Sequence, residues 1–440
     1  MAVSGSAGKD LISRIESKKF TAAVIGLGYV GLPLAMEYAG AGIHRVIGID
    51  IDSSKVRSLN AGKSHIDDVP PEVVKKAVAA GTFTATTDFS VIAKADSVNI
   101  CVPTPLRKTK DPDLSYIVNA MERMIDYIHK GMLIVLESTT YPGTTQEILA
   151  PIIEGKGFKV GKDVFLAFSP ERVDPGNENF STKNIPKVVG GVTPLCGKVA
   201  AALYGGVMDH VHLVSNSAAA EMVKLLENTF RSVNIGLVNE VCLMANRMGI
   251  DIWEVIDAAK TKPFGFMPFY PGPGIGGHCI PLDPFYLSWK AKQFGFESRF
   301  IELAGVVNGR MPHYTVDRVS EVLNRFRKPI NGSRLLILGV TYKKNISDVR
   351  ESPALDILHL LARKGAVLSY CDPYVTEIRD GVISLKSSPF SAATLKKADC
   401  VLVVTDHSAF DYGMVARESK AVVDTRNALK KFKGKNIVRL

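Results

Sequence analysis

Residues 22–31 read Ala-Ala-Val-Ile-Gly-Leu-Gly-Tyr-Val-Gly. The apolar run 22–25 is too short for a helix and reads as a buried strand. Gly26, Gly28 and Gly31 then complete G-x-G-x-x-G, with Leu27, Tyr29 and Val30 as its variable positions. A helical pattern, LPLAMEYAGAG, follows, and RVIGID predicts a second strand closing on Asp50, 22 positions after Gly28. Strand, glycine turn, helix, strand and terminal acid are the order of a dinucleotide fold. The glycines let backbone approach a pyrophosphate at a helix N-terminus. A carboxylate at Asp50 accepts hydrogen bonds from ribose hydroxyls and repels a 2′-phosphate, so the segment predicts NAD rather than NADP. Lys55, close to Asp50 in sequence, tempers that preference.

The alternation continues outward. SVNICVP (97–103), MLIVLES (132–138), VFLAFSP (164–170), KVVGG (187–191) and HVHLV (210–214) read as strands, and 113–129 and 144–153 as helices. Such alternation predicts a parallel sheet with right-handed crossovers, which binds ligands beyond the carboxyl ends of its strands. Thr104, the pair Ser138-Thr139 and the pair Glu171-Arg172 fall at such ends. Each also suits a cap or turn, Ser138-Thr139 most of all. A second strand series follows: LLILGV (335–340), AVLSYCDP (366–373), CVLVVT (400–405) and AVVDT (421–425), with Ser352-Pro353 opening a helix. It lacks the full glycine fingerprint. Between the series, Ser215 to Met248 is one uninterrupted helical pattern, longer than an ordinary globular helix. The expected architecture is α/β: two Rossmann-like doubly wound parallel-sheet domains, 1–214 and 328–440, joined through a long central helix and loop region, 215–327.

Composition agrees with a large globular chain: 440 residues, 46% hydrophobic and 22% charged. The net charge of +10 is partly local, since Met414–Leu440 holds eight Lys/Arg against two acids, and reads as a solvated basic end rather than a nucleic-acid or membrane surface. Six cysteines form no C-x-x-C pair, the N-terminal segment lacks a secretory pattern, and no apolar run reaches 18 residues. A cytoplasmic location without membrane or nucleic-acid partners is expected. His210 and His212 alone do not make a metal site, so no metal is expected.

Two regions carry chemistry. Lys224 and Asn228 stand at i and i+4 on the long helix and share a face. FMPFYPGPGIGGHCIPLDPFYL (266–287) is a Gly/Pro-rich loop in which Cys279 follows Gly276-Gly277-His278 and precedes Asp283 by four residues. Glycines beside a cysteine leave its sulfur accessible. Cys101, Cys196, Cys242, Cys371 and Cys400 lie in apolar patterns or near a helix start and read as structural. Lys343, Lys344 and Arg350 cluster after the first strand of the second series, where they suit a phosphate, a carboxylate or simply solvent.

The sequence resembles the UDP-glucose/GDP-mannose dehydrogenase family in GLGYVG (26–31), STT (138–140), SPERVDPG (169–176), KLLENTFRSVNIGLVNE (224–240), PGPGIGGHCIPLDP (271–284), YKKNISDVRESP (342–353) and DTRN (424–427). ERVDPG and the cysteine loop are similar to the branch that oxidises UDP-N-acetylhexosamines. The resemblance implies two NAD-dependent oxidations at C6, through a thiohemiacetal and a thioester on Cys279. It implies that Lys224 stabilises the oxyanion and that Asn228 holds it. Asp283 and Thr139 would position water, and Glu171 would assist at the thioester. Arg172, Gly276 and Lys343 would meet the nucleotide sugar, and Thr104 and Arg350 the cofactor. UDP-GlcNAc is the expected substrate, with UDP-ManNAc and UDP-GalNAc as alternatives, in surface polysaccharide precursor synthesis by a homodimer. Two rivals are a β-hydroxyacid-type dehydrogenase with one hydride transfer and a nucleotide-binding regulator without catalysis. The first leaves the cysteine loop unexplained, and the second leaves Cys279, Lys224, Asn228 and Asp283 together unexplained.

Overall fold

The computed structural model describes residues 6–106, 111–173 and 180–440. Asp174, Pro175 and Gly176 of the SPERVDPG segment lie outside the described residues. The chain divides into two compact units: Met1–Glu227 with Trp289–Phe296, and Asn228–Ser288 with Glu297–Leu440.

The first unit is built on β1 (Thr21–Ile25), β2 (Arg45–Ile49), β3 (Phe83–Thr86), β4 (Ser97–Ile100), β5 (Leu133–Leu136), β6 (Phe165–Phe168), β7 (Lys187–Gly191) and β8 (Val211–Leu213), in the order β3-β2-β1-β4-β5-β6-β7-β8. The first six run parallel. The chain reverses its winding between β1 and β4, so the glycine turn after β1 sits at the switch point where doubly wound sheets bind ligands. One pairing departs from the all-parallel expectation. β7 runs antiparallel to β6, with Ala167 opposite Gly191 and Phe168 opposite Gly190. A parallel return needs a crossover segment, usually a helix, and SPERVDPGNENFSTKNIP between the two strands has no helical period. Strand β3, FTAT, escaped the sequence pattern because half of it is polar.

The second unit holds β9 (Arg334–Leu338), β10 (Val367–Cys371), β11 (Glu377–Arg379), β12 (Ser384–Lys386), β13 (Cys400–Val403), β14 (Val422–Asp424) and β15 (Ile437–Arg439). Five of these form an all-parallel sheet, β10-β9-β13-β14-β15, while β11 and β12 pair antiparallel on their own. As expected, Ser352 caps the helix Pro353–Arg363, accepting from Ala354 N–H at 3.3 Å. The long central helix runs from Ser217 to Met248, 32 residues. A second long helix, Arg299–Arg325, continues through Pro312 and has no counterpart in the sequence expectations. Gly236 lets these two helices close in, since a Cβ there would lie 3.2 Å from Ala304 Cα.

The basic end is only partly solvated. Lys430, Lys431, Lys433 and Lys435 are exposed. Arg426 instead donates to Val404 O at 2.9 Å, Arg439 to the carbonyls of Leu429 and Phe432, and β15 closes the sheet. Among the described residues, no helix is long and apolar enough to cross a membrane.

Candidate active site

In the first unit the glycine turn is shaped by three different constraints. Gly26 has φ +89°, and a Cβ on it would lie 2.5 Å from Cys101 O. A Cβ on Gly31 would lie 1.9 Å from Gly26 O, so the helix Gly31–Gly40 can start there only with glycine. Gly28 differs: a Cβ would meet nothing within 4 Å. Gly28 therefore borders open space at the start of a ten-residue helix whose N-cap, Val30, supplies no side-chain hydrogen bond. That vacancy beside a helix N-terminus fits a pyrophosphate. Tyr29 is exposed, and Thr104 is half-buried beyond β4, the neighbour of β1. Asp50 is buried and latches the turn: Oδ2 accepts from Leu27 N–H at 3.0 Å and Oδ1 from Asp52 N–H at 2.9 Å. Lys55 Nζ stands 3.9 Å from Asp50 Oδ2. These residues fit NAD.

The second unit repeats this latch and then closes it. Gly339 has φ +77°, and Val340 N–H donates to Asp372 Oδ2 at 2.8 Å. Here, however, Asp372 also accepts from Tyr374 and Val375 N–H and from the fully buried His407, 3.0 Å away. His407 Nδ1 accepts from Asn345 N–H, which leaves Nε2–H to donate to Asp372. The acid that faces a ribose in a dinucleotide site is consumed by its own loop.

A polar group gathers beyond β5 and β6. Ser138 is not a helix cap; its hydroxyl donates to Val102 O at 2.7 Å. Lys224 does not reach out to water either: it is buried and donates to Thr139 Oγ1 at 2.6 Å. Glu171 Oε1 accepts from the N–H groups of Arg172 and Val173 at 2.8 and 2.9 Å, and its Oε2 lies 3.2 Å from Lys187 Nζ. Burial pushes the Glu171 carboxyl up, but the Lys187 charge and these hydrogen bonds more than offset it and hold the group below its usual range. Glu171 is thus a carboxylate at neutral pH. Arg172 binds Glu227 through Nη2 at 2.5 Å and Pro186 O through Nη1 at 2.8 Å. Lys187 and its other partner, Glu137, were not singled out in the sequence. The visible signal was an acid ending the apolar strand IVLE and a lysine opening KVVGG.

The cysteine loop belongs to the second unit. Its entry is pinned by buried asparagines: Gly272 N–H donates to Asn239 Oδ1 at 3.0 Å, and Asn239 Nδ2 donates to Asn308 Oδ1 at 2.9 Å. The glycines before the cysteine serve packing rather than open space. A Cβ on Gly276 would lie 2.6 Å from Glu351 O and 2.7 Å from Tyr342 Cβ, and Gly277 has φ +89° beside the Tyr342 ring. Cys279 is exposed, and its carbonyl accepts from Leu282 N–H at 3.1 Å and Asp283 N–H at 2.8 Å. Asp283 and Asn228 are buried together, with Asn228 Nδ2 donating to Asp283 Oδ2 at 2.7 Å. The other five cysteines are buried. Burial pushes the Cys242 and Cys371 thiols up to about 11, Cys400 to about 12, and Cys101 well above its ordinary value. Arg350 grips Asp348 at two points, Nε–Oδ1 2.9 Å and Nη2–Oδ2 2.7 Å. His278 Nε2 lies 3.9 Å from Asp348, and burial, together with the Arg350 charge, lowers the imidazole pKa, leaving the ring neutral at pH 7. Lys343 is half-buried, while Lys344 is exposed and 4.0 Å from Asp406.

The sequence matches three domains of one family: UDP-glucose/GDP-mannose dehydrogenase family, NAD binding domain over residues 20–208, central domain over 218–310, and UDP binding domain over 336–431. The chain belongs to the UDP-glucose/GDP-mannose dehydrogenase family. This dehydrogenase is 34% identical over 395 residues to a UDP-N-acetyl-D-glucosamine 6-dehydrogenase of Pseudomonas aeruginosa, covering 89% of this chain and 92% of that one. It is 35% identical over 428 residues to an NDP-N-acetyl-D-galactosaminuronic acid dehydrogenase of Ralstonia solanacearum, covering 94% and 97%. Among solved structures it superposes on a UDP-D-ManNAc dehydrogenase from Pyrococcus horikoshii with TM-score 0.86 at 32% identity, covering 95% of this chain and 98% of that one. The family resemblance carried by the sequence motifs is thereby established, and NAD is the dehydrogenase's cofactor.

Proposed function

We propose that this dehydrogenase oxidises the C6 hydroxymethyl of a UDP-N-acetylhexosamine to the carboxylate, through a thioester on Cys279, in surface polysaccharide precursor synthesis. UDP-GlcNAc is the first candidate, with UDP-ManNAc and UDP-GalNAc as alternatives. One observation carries the reading: of six cysteines only Cys279 is exposed, in a loop pinned at Gly272 and followed four residues later by the buried Asp283–Asn228 pair. The relatives' names support the N-acetylated sugar.

Bound NAD supplies the hydride acceptor for both oxidations, two NAD per sugar. Lys224 is buried; its ammonium, oriented by Thr139, donates to the C6 oxygen as the hydroxyl proton passes to water and the hydride leaves C6. Cys279 attacks the aldehyde carbon to give a thiohemiacetal, which keeps the aldehyde from escaping. After the second oxidation, water held by the Asp283–Asn228 pair attacks the thioester, and Glu171, ionised as described, takes its proton. Arg172, occupied by Glu227 and Pro186 O, braces the segment carrying Glu171, and its role toward the sugar is to shape that wall. Gly276 offers backbone to the substrate, Lys343 meets the nucleotide sugar, and Arg350, oriented by Asp348, the cofactor. The cytoplasm and a homodimer complete the reading.

A panel of UDP-sugars assayed with NADH counting tests it. Two NADH per UDP-N-acetylhexosamine, with a much higher kcat/KM than for UDP-glucose, is the expected result. Comparable kcat/KM for UDP-glucose, or one NADH per sugar, overturns it.

A further inference from the structure

Behind Glu171 lie two buried charges, Lys187 and Glu137, to which the reaction outlined above gives no role. Lys187 Nζ stands 2.7 Å from Glu137 Oε2 and 3.2 Å from Glu171 Oε2. Glu137 Oε1 accepts in turn from Tyr204 OH at 2.6 Å and Asn99 Nδ2 at 2.8 Å, and Asn99 Oδ1 accepts from Tyr38 OH at 3.2 Å. Side-chain exposure rises along the ion pairs, from 0% at Glu137 through 4% at Lys187 to 11% at Glu171. Burying ions costs several kcal/mol each, and well-packed apolar residues often serve stability as well. The cluster holds two carboxylates and one ammonium, and it approaches solvent at Glu171. Its consequence is to be sought there.

We propose that Lys187 is a positioning residue for Glu171: anchored by Glu137 on its buried side, it holds the Glu171 carboxylate ionised and fixed in orientation as the base for thioester hydrolysis. The inference rests on the reading of Glu171 given under Proposed function. In that step the water oxygen bonds to the thioester carbonyl carbon and its proton passes to Glu171. The C–S bond then breaks, Cys279 leaves as thiolate, and the sugar leaves as the acid.

Three features support this. Two backbone N–H groups fix Oε1 and the ammonium fixes Oε2, so both oxygens are oriented. The Lys187 charge lowers the Glu171 carboxyl against the opposing effect of burial. Lys187 itself, despite burial, is raised by Glu137 and Glu171 and stays protonated. The other titratable groups facing the cluster among the described residues are Cys101, Tyr38 and Tyr204. All three are pushed well above their ordinary values, by burial first and then by Glu137, and stay neutral. Lys187 is therefore the cation that decides the state of Glu171.

Two substitutions move that state in opposite directions. Lys187→Met leaves two buried carboxylates without their cation, so the Glu171 pKa rises. Glu137→Gln leaves the ammonium to Glu171 alone, so the pKa falls. The measurement is the decay of acyl-enzyme in single turnover, read by rapid quench and intact mass, as the ratio of variant to wild type at each pH. For Lys187→Met the ratio is expected to fall at least about threefold from pH 7.5 to pH 5.5. For Glu137→Gln it is expected to stay flat there and to rise as the pH falls below about 5 toward the range in which wild-type Glu171 protonates. Glu171→Gln is expected to be slow at every pH. If Glu171→Gln is slow while the Lys187→Met ratio stays constant with pH, the assignment of Lys187 fails alone. If Lys187→Met does not fold, the Glu137→Gln ratio decides: a rise below pH 5 supports the assignment and a fall refutes it. Wild-type decay in Glu171→Gln overturns the role of Glu171, and that of Lys187 with it.

Discussion

Gly28 and Gly31 belong to one motif, yet the structure predicts opposite failures for their alanine variants. At Gly28 a Cβ meets nothing within 4 Å and φ lies outside the left-handed region, so Gly28→Ala should fold with a stability change within about 0.5 kcal/mol. The methyl group would instead occupy the space through which a pyrophosphate reaches the helix N-terminus. Loss of one charge-assisted backbone hydrogen bond is worth about 1.5–3 kcal/mol, so NAD affinity should fall roughly ten- to hundredfold. At Gly31 a Cβ would lie 1.9 Å from Gly26 O, a backbone atom that cannot swing aside. Gly31→Ala should therefore cost about 1–3 kcal/mol of stability or more through overpacking, lowering Tm by several degrees. Calorimetric titration with NAD and thermal melts of both variants separate the effects. Wild-type NAD affinity in Gly28→Ala would refute the position assigned to the cofactor, and an unchanged Tm in Gly31→Ala would refute the packing argument.

The Asp50 carboxylate should make NAD at least about tenfold better than NADP in kcat/KM, because it repels a 2′-phosphate; equal use of NADP contradicts this despite the nearby Lys55. Asn228→Ala removes one hydrogen bond to the buried Asp283 carboxyl, which should cost about 1 kcal/mol in a denaturant melt; an unaltered midpoint would show that the 2.7 Å hydrogen bond contributes nothing. In the second unit Phe230, Leu237, Met244 and Met248, with Phe300, Leu303 and Val306, are 46–78% exposed on the two long helices, and a homodimer is expected to cover them. Light scattering should report that dimer at micromolar concentration, and Leu237→Glu should weaken it; a fully active wild-type monomer would exclude the interface.

Local periodicity made much of this architecture legible. The turn after β1, the helix Ser217–Met248 and the Ser352-capped helix each announce themselves through residues within a few positions of one another. What stayed hidden depends on residues far apart in sequence. The reversal at β7 follows from what the preceding segment lacks. Strands β11, β12 and β15 are three residues each and lack an apolar run such as the AVV (421–423) that marks the equally short β14. Among the candidate residues, Cys279, Asp283, Lys224 and Asn228 stood out because polar residues sat in unusual company. Their partners did not: Thr139 for Lys224 is 85 positions away, and Lys187 meets Glu137 across 50. Gly276 and Gly277 were read as leaving the Cys279 sulfur accessible, and Cys279 is exposed, but what demands glycine there is the approach of Tyr342 and Glu351, contacts that no local pattern encodes.

The central claim is that Cys279 carries the sugar covalently between the second oxidation and hydrolysis. Cys279→Ser keeps the size of the side chain, but a hydroxyl that stays protonated near neutral pH is a much weaker nucleophile. The most direct measurement is single-turnover NADH formation with a UDP-N-acetylhexosamine, followed on the same samples by intact-protein mass. Wild type should release two NADH per sugar and show a transient adduct on Cys279, while Cys279→Ser binds both ligands and loses turnover by orders of magnitude. Two NADH at near wild-type rate from Cys279→Ser would make the thiol structural and the thioester route wrong.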